Sequence, residues 1–442
     1  MNLNLMIMKN FFALCLLLTT TILQAQERCG FGIAEKESAK NPAWLRQKSE
    51  FEYQLRQDMA KSEGANLRIA EKLLKIPVVV HVIHNNSANI IGGIGNANIT
   101  DAQIKSQIVI LNEDYRRKSG TRGFNANSVG TDMEIEFFLA VIDPKGLVTT
   151  GITRTFVDKS SWNLSGDSQI LAKTIHWDYE KYLNIWVVKN NGGTIGYSGF
   201  PYDSRLIGLG TTPQDIIDQN IFDGVVSDSR YFGNCCGVEG NTYNYGRTTT
   251  HEIGHYLGLL HPDGDENCGT DYCDDTPQIE GLNKTTSCPV LTSKCSGEVR
   301  TNMIENYMDY SPDRCMNTFT NDQKKRVRSA LNLSIKRQRL LINSELALGI
   351  EPPANANNKN LQISPNPILP NINSILSIQF SGIRDLTISI YSMIGILQNE
   401  ESYTGQKSNV FELNTDKLRS GQYIVKVKFG GEIATEKIIV IK

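Results

Sequence analysis

Between His251 and His261 the chain reads HEIGHYLGLLH, and no other stretch of the 442 residues constrains the fold as tightly. Half of the six histidines fall inside it. On a helix, His251 and His255 project from one face a turn apart and can hold the same cation. Glu252 stands beside them as a candidate general base. Gly258 tolerates the positive φ at which a helix ends, so the chain can turn and bring His261 back from another direction. Three imidazole nitrogens leave one position of a tetrahedral zinc open, which is the arrangement of a catalytic site. In such a site zinc lowers the pKa of a bound water while Glu252 takes its proton.

Downstream, ENYMDY (Glu305 to Tyr310) resembles the methionine turn beneath the zinc of metzincin proteases. Together with DYCDDTP (Asp271 to Pro277) and CMNTFT (Cys315 to Thr320), it makes the chain resemble the pappalysin-like branch of the metzincins. The resemblance implies an α+β fold with a two-subdomain metzincin catalytic domain. A twisted mixed sheet plus helices would form the part above the cleft, and an irregular, disulfide- and calcium-stabilised part would lie below. It implies a secreted zinc-dependent endopeptidase acting on protein or peptide substrates. Met308 would pack under the metal, and Tyr310 would donate to the developing oxyanion. Asp313 would line the pocket for the side chain after the scissile bond and select Arg or Lys. Disulfides Cys268–Cys295 and Cys288–Cys315 also follow from the family pattern.

The run from Asp263 to Thr276 is dense in hard oxygen ligands, which suits calcium more than zinc. Asp271, Asp274, Asp275 and Thr276, which match the family's calcium-binding run, are the candidate ligands. Of the remaining cysteines, Cys235 and Cys236 are adjacent, and neighbours seldom bond to each other. One of them could join Cys273, with the other free or paired with Cys29, and the sequence leaves that pairing open.

At the N-terminus, Lys9, the apolar run FFALCLLLTTTIL and LQAQ, with cleavage after Ala25, read as a secretory signal over 1–25. Eight cysteines then remain in a compartment that permits disulfides. The charged stretch over 26–70 reads as a removable pro-segment and not as a folded domain. Its RCG contains Cys29, whose sulfur could fill the open zinc position and keep the protein latent, as in a cysteine-switch pro-segment; the alternative is a disulfide or a free thiol. A net charge of −2 gives no footprint for nucleic acid or an anionic membrane, and no other segment is long enough to span a bilayer.

A catalytic domain is expected over 71–345. Within it, Ile76 to His84 reads as a buried strand, with His81 and His84 structural. Thr100 and Gln103 form a capping box that opens a helix from Asp101 to about Arg117. Strands follow at Ile135 to Asp143 and Tyr182 to Lys189, then a turn-rich loop holding Gly192, Gly193, Gly196 and Gly199.

An asparagine-rich linker over 346–360 precedes 361–442, whose short alternating strands read as a small β-sandwich. ISPNP, LRSGQYIVKV and EKIIVIK resemble the C-terminal sorting domain of type IX secretion. That implies export through the periplasm, contact with the type IX machinery, and release or attachment at the cell surface. A competing reading is a secreted binding or adhesin-like protein that keeps zinc for structure alone.

Overall fold

The computed structural model describes residues 28–64, 73–201 and 222–342. In the C-terminal part it describes 361–364, 368, 374–378, 384–392, 396–406, 410–429 and 432–440. The expected signal sequence with its cleavage at Ala25, the far end of the pro-segment and the linker over 346–360 lie outside the described residues.

The charged stretch read as a removable pro-segment and not as a folded domain is helical: α1 spans Phe31–Ser38 and α2 spans Pro42–Gly64. Its few apolar side chains are well placed, since Phe51 and Leu55 are fully buried. Strand β1 (Leu74–His84) is buried on both faces after Lys75, as the β-branched run requires of a central parallel strand. His81 and His84 are buried within it. Helix α3 (Asp101–Tyr115) begins where Thr100 accepts from the Gln103 amide at 3.1 Å. The other half of the expected capping box does not form. The Gln103 side chain instead donates to the carbonyls of Ser229 and Phe232, and a second buried segment takes the group meant for the cap. The helix ends two residues before Arg117.

Strands β2 (Ile135–Leu139) and β3 (Ile152–Phe156) follow, the first shorter than expected. Helix α4 (Ser168–Thr174), β4 (Leu183–Val188), β5 (Gly196–Ser198) and β6 (Val225–Asp228) complete the sheet. Its order is β2-β1-β4-β6-β5, with β3 pairing the second half of β1. Every pairing is parallel except β5 with β6. The glycine-rich segment read as a loop therefore contains an antiparallel edge strand. Three residues with glycine at their start carry too little pattern to announce one.

Helix α5 (Arg247–Tyr256) carries the motif and is buried throughout. After it the chain is irregular, with a small ladder of β7 (Thr292–Ser293) and β8 (Arg300–Thr301), and a single 3-10 turn at Asp313–Cys315. Helices α6 (Asn321–Leu333) and α7 (Ile335–Ile342) close the unit. A continuous core joins β1, β2 and β4 to α3, α5 and α6 through Val78, Ile104, Ile135, Ile185, Ile253 and Val327.

Cys268 pairs with Cys295 and Cys288 with Cys315, as expected. The expectation that Cys235 and Cys236 would not bond to each other is corrected. Cys235 bonds to its neighbour Cys236, while Cys29 and Cys273 are buried free thiols. Cys236 sits at φ 63°, a backbone state that brings adjacent sulfurs to the same side of the chain.

The C-terminal part is all-β. Strands β9 (Leu361–Ser364), β10 (Ser374–Ile378) and β13 (Val410–Leu413) form one antiparallel sheet. Strands β11 (Arg384–Ser392), β12 (Leu397–Gln406), β14 (Gly421–Phe429) and β15 (Glu432–Val440) form another. Leu376 and Phe411 of the first share a core with Ile388, Val425 and Ile438 of the second. Strand β12 was not expected. It is polar and largely exposed, so burial left no alternation to read.

Candidate metal centre

Contacts at both ends fix helix α5. Gly246 offers no side-chain cap, and Asp313 Oδ2 instead accepts from the Tyr245 and Arg247 amides at 3.0 Å each. A carboxylate there also meets the positive end of the helix dipole. At the other end Gly258 takes φ 102° in a Schellman ending. Leu259 donates to the Gly254 carbonyl and Gly258 to that of His255, both at 2.9 Å. The turn returns His261 to the helix face.

The Nε2 atoms of His251, His255 and His261 lie 3.1–3.2 Å from one another. Each Nδ1 faces a group that can only accept: the Tyr307 carbonyl, the Leu259 carbonyl and Asp265 Oδ1, at 2.8, 2.8 and 2.7 Å. The protons therefore sit on Nδ1, and three lone pairs converge with no hydrogen between them. A cation at their centre satisfies all three. Tetrahedral zinc with nitrogens at about 2.05 Å would space them by about 3.3 Å, so the residues fit that ion. Burial, reinforced by the neighbouring imidazoles, holds His251 and His255 far below the usual histidine range, in the neutral ligand form. At His261 burial lowers the pKa, but Asp265 outweighs it and the net direction is upward.

Met308 is fully buried against this helix. A Cβ at Gly254 would come within 2.4 Å of its sulfur, so the helix leaves room for the methionine turn. Glu252 is also fully buried, and burial pushes its carboxyl up to about 8. Its Oε2 accepts from Cys29 Sγ at 3.3 Å. Burial first, and then Glu252, push the Cys29 thiol well above its ordinary value. The sulfur and the three histidine nitrogens all lie within 4.8 Å of one another.

Residues 28–30 extend the sheet. The Arg28 carbonyl accepts from Ile195 and Gly196, and Gly30 donates to the Gly196 carbonyl, so Cys29 bridges β5 in parallel. The Arg28 side chain enters a pocket. Its Nη2 meets Asp313 Oδ1 at 3.0 Å, its Nη1 meets the Ser311 carbonyl at 2.6 Å, and its guanidinium lies 5.0 Å from the centre of the Tyr243 ring. The Tyr310 hydroxyl donates to the Cys29 carbonyl at 3.3 Å, and Phe31 stacks on His255.

The structure thus brings together His251, Glu252, His255, His261, Cys29, Met308, Tyr310 and Asp313. The calcium candidates are less tightly gathered. Asp271 accepts from Thr276 Oγ1 at 2.7 and 2.8 Å, Asp275 accepts from the Asp322 amide at 3.0 Å, and Asp274 is exposed. Asp271, Asp274 and Thr276 line a polar cavity of about 310 Å³, and burial lifts Asp271 to about 7. Sequence reasoning missed Arg28, Asp265 and Tyr243. Asp265, four residues after His261, had a signal in that spacing; Tyr243 had none.

Residues 165–332 match the peptidase M43 family, described as pregnancy-associated plasma protein-A, and residues 362–442 match a secretion system C-terminal sorting domain. An extracellular metalloprotease of Verticillium alfalfae is 31% identical over 265 residues, covering 59% of this chain and 78% of that one. One from Colletotrichum graminicola is 27% identical over 313 residues, covering 70% and 92%. Among solved structures, a Tannerella forsythia promirolysin mutant aligns with a TM-score of 0.58 at 32% identity, covering 72% of this chain and 97% of that one. Mature mirolysin with a cleaved peptide aligns at 0.53 and 36% identity, covering 63% and 98%.

Proposed function

The chain belongs to the pappalysin family of secreted zinc metalloendopeptidases and carries a C-terminal sorting domain, and on that premise we propose that it is a latent enzyme which cuts peptides before arginine or lysine. The observation that carries this reading is the convergence of three histidine lone pairs beside Glu252. His251, His255 and His261 would hold zinc, which when bound polarises the scissile carbonyl and acidifies water. Glu252 takes a proton from the attacking water at its Oε2 and returns it to the leaving amine. Tyr310, now bonded to the Cys29 carbonyl, turns to the oxyanion of a substrate.

Specificity rests on Asp313. The buried Arg28 guanidinium in its pocket supports a basic side chain after the scissile bond. Such a substrate runs from the metal toward the pocket, whereas residues 28–29 run from the pocket toward the metal. The pro-segment therefore lies backwards and offers a thiol where a peptide would offer its carbonyl. With a metal held by the histidines, the Cys29 sulfur would bind as the thiolate and Glu252, whose Oε2 already accepts from Cys29 Sγ, would hold the displaced proton in place of acting as a base.

The assigned units are a signal over 1–25, a pro-segment over 26–70, a two-subdomain catalytic region over 71–345, a linker over 346–360 and a sorting sandwich over 361–442, used for transit through the periplasm and the type IX machinery. The buried Asp271 and the polar cavity beside it support calcium at Asp271, Asp274, Asp275 and Thr276.

Removing metal with a chelator and titrating zinc back tests the site. One zinc per matured chain should restore hydrolysis, and His261→Ala should bind less than one. Full zinc binding by that variant would exclude His261 as a ligand.

A further inference from the structure

We infer that the mature enzyme keeps a second binding site, bordering the metal cleft, that takes an amphipathic helix through a buried carboxylate, and that its occupant is the chain's own released pro-segment acting in trans. This builds on the latency reading above, and begins from an ion pair that includes none of the metal-site residues. Both terminal nitrogens of Arg326 on α6 meet Glu52 of α2, at 2.9 and 2.7 Å, in a bidentate pair with neither residue appreciably exposed. The third guanidinium nitrogen donates to the Gly258 carbonyl at 2.7 Å. Arg326 is thereby pinned by the body of the enzyme, with its fork aimed at the helix.

The surroundings are built for a helix as well. Phe51 and Leu55, on the same face as Glu52, pack on Ala330 and Leu333, with Met59 and Phe200 at the margin. Arg56 lies over the Tyr272 ring at 5.0 Å, with Arg326 5.6 Å from the same ring. Phe200 and Tyr272 also border the cluster of Cys29, Phe31, Leu260 and Tyr310, whereas the fork itself rests on Glu52, Arg326 and Gly258. When the pro-segment is cut from the chain, Glu52 leaves with it, and a preorganised carboxylate receptor flanked by apolar surface opens on the enzyme. Desolvated Arg–carboxylate forks are strong and geometrically selective, so the released helix is the ligand this surface fits best. The fork also ties that site to Gly258, where the chain turns toward His261.

The test uses the full chain after it has matured, with a labelled peptide of residues 42–64, which lacks Arg28 and Cys29, and the same peptide carrying Glu52→Gln. Binding is followed by fluorescence anisotropy, and hydrolysis is read in the same samples before and after maturation. Saturable binding that weakens at least tenfold with Glu52→Gln is expected. No saturable binding, or equal binding of both peptides, would overturn the second site. A chain that gains no activity on maturation would instead overturn the latency reading, whichever way the peptides behave.

Discussion

The Arg28 guanidinium and the Asp313 carboxylate meet at 3.0 Å with neither side chain exposed. The same carboxylate, through its other oxygen, holds the amides of Tyr245 and Arg247 at the start of the zinc-motif helix. One residue therefore joins the pocket to the helix that carries His251 and His255. Removing the Asp313 side chain altogether would disturb the pocket and the helix together.

Asp313→Asn keeps an oxygen for the helix amides but removes the charge. Hydrogen bonds to charged groups contribute about 1.5 to 3 kcal/mol. The variant should lose roughly ten- to a hundredfold in kcat/KM for peptides with Arg or Lys after the scissile bond, and much less for neutral ones. Equal losses on both substrates would assign Asp313 to the helix alone.

Cys29→Ser should raise hydrolysis by the unprocessed chain while α2 stays docked through Glu52 and Arg326. Hydrogen exchange of residues 42–64 measured beside activity separates the two effects. Protection lost together with latency would mean that one anchor holds the whole segment.

His81 tests the pH response of the fold. It donates from Nε2 to Asn184 and pairs through Nδ1 with Thr153, and burial holds it at about 4. Between about 6.5 and 4 the unfolded chain takes up a proton that the folded chain refuses, so stability falls as pH falls and is flat above about 6.5 for this group. The contribution is up to about 3 kcal/mol. Urea unfolding followed through Trp186, whose ring lies 5.6 Å away, should show the gap between wild type and His81→Gln shrinking on acidification. A pH-independent gap would contradict this.

The pair Cys288–Cys315 spans 27 residues. Chain entropy assigns such a crosslink about 3.5 kcal/mol. Changing both cysteines to serine should lower the unfolding midpoint of the catalytic region and leave the sandwich transition where it was. An unchanged midpoint would show that the lower part is held by its packing.

The metal centre was legible because its pieces are local: two histidines a turn apart, a glycine that ends the helix, and a third histidine just beyond. The central strands were legible because burial on both faces makes them continuously apolar. What escaped depends on distant partners. Arg28 and Asp313 are 285 residues apart, and Glu52 and Arg326 274. A charged residue gives no sign in sequence of whether its partner will be water or a buried opposite charge. Strand β5 escaped because it is three residues long, β12 because it is polar, and the Cys235–Cys236 bond because a backbone at φ 63° overrides the usual preference.

The most direct test of the account is mass-spectrometric mapping of peptides cut by the matured, zinc-loaded chain beside its Glu252→Ala form. Cuts immediately before Arg and Lys by the wild type, with none by a variant that still binds one zinc, are the expected result. Identical cuts by the variant, or none by a folded and zinc-loaded wild type, would contradict it.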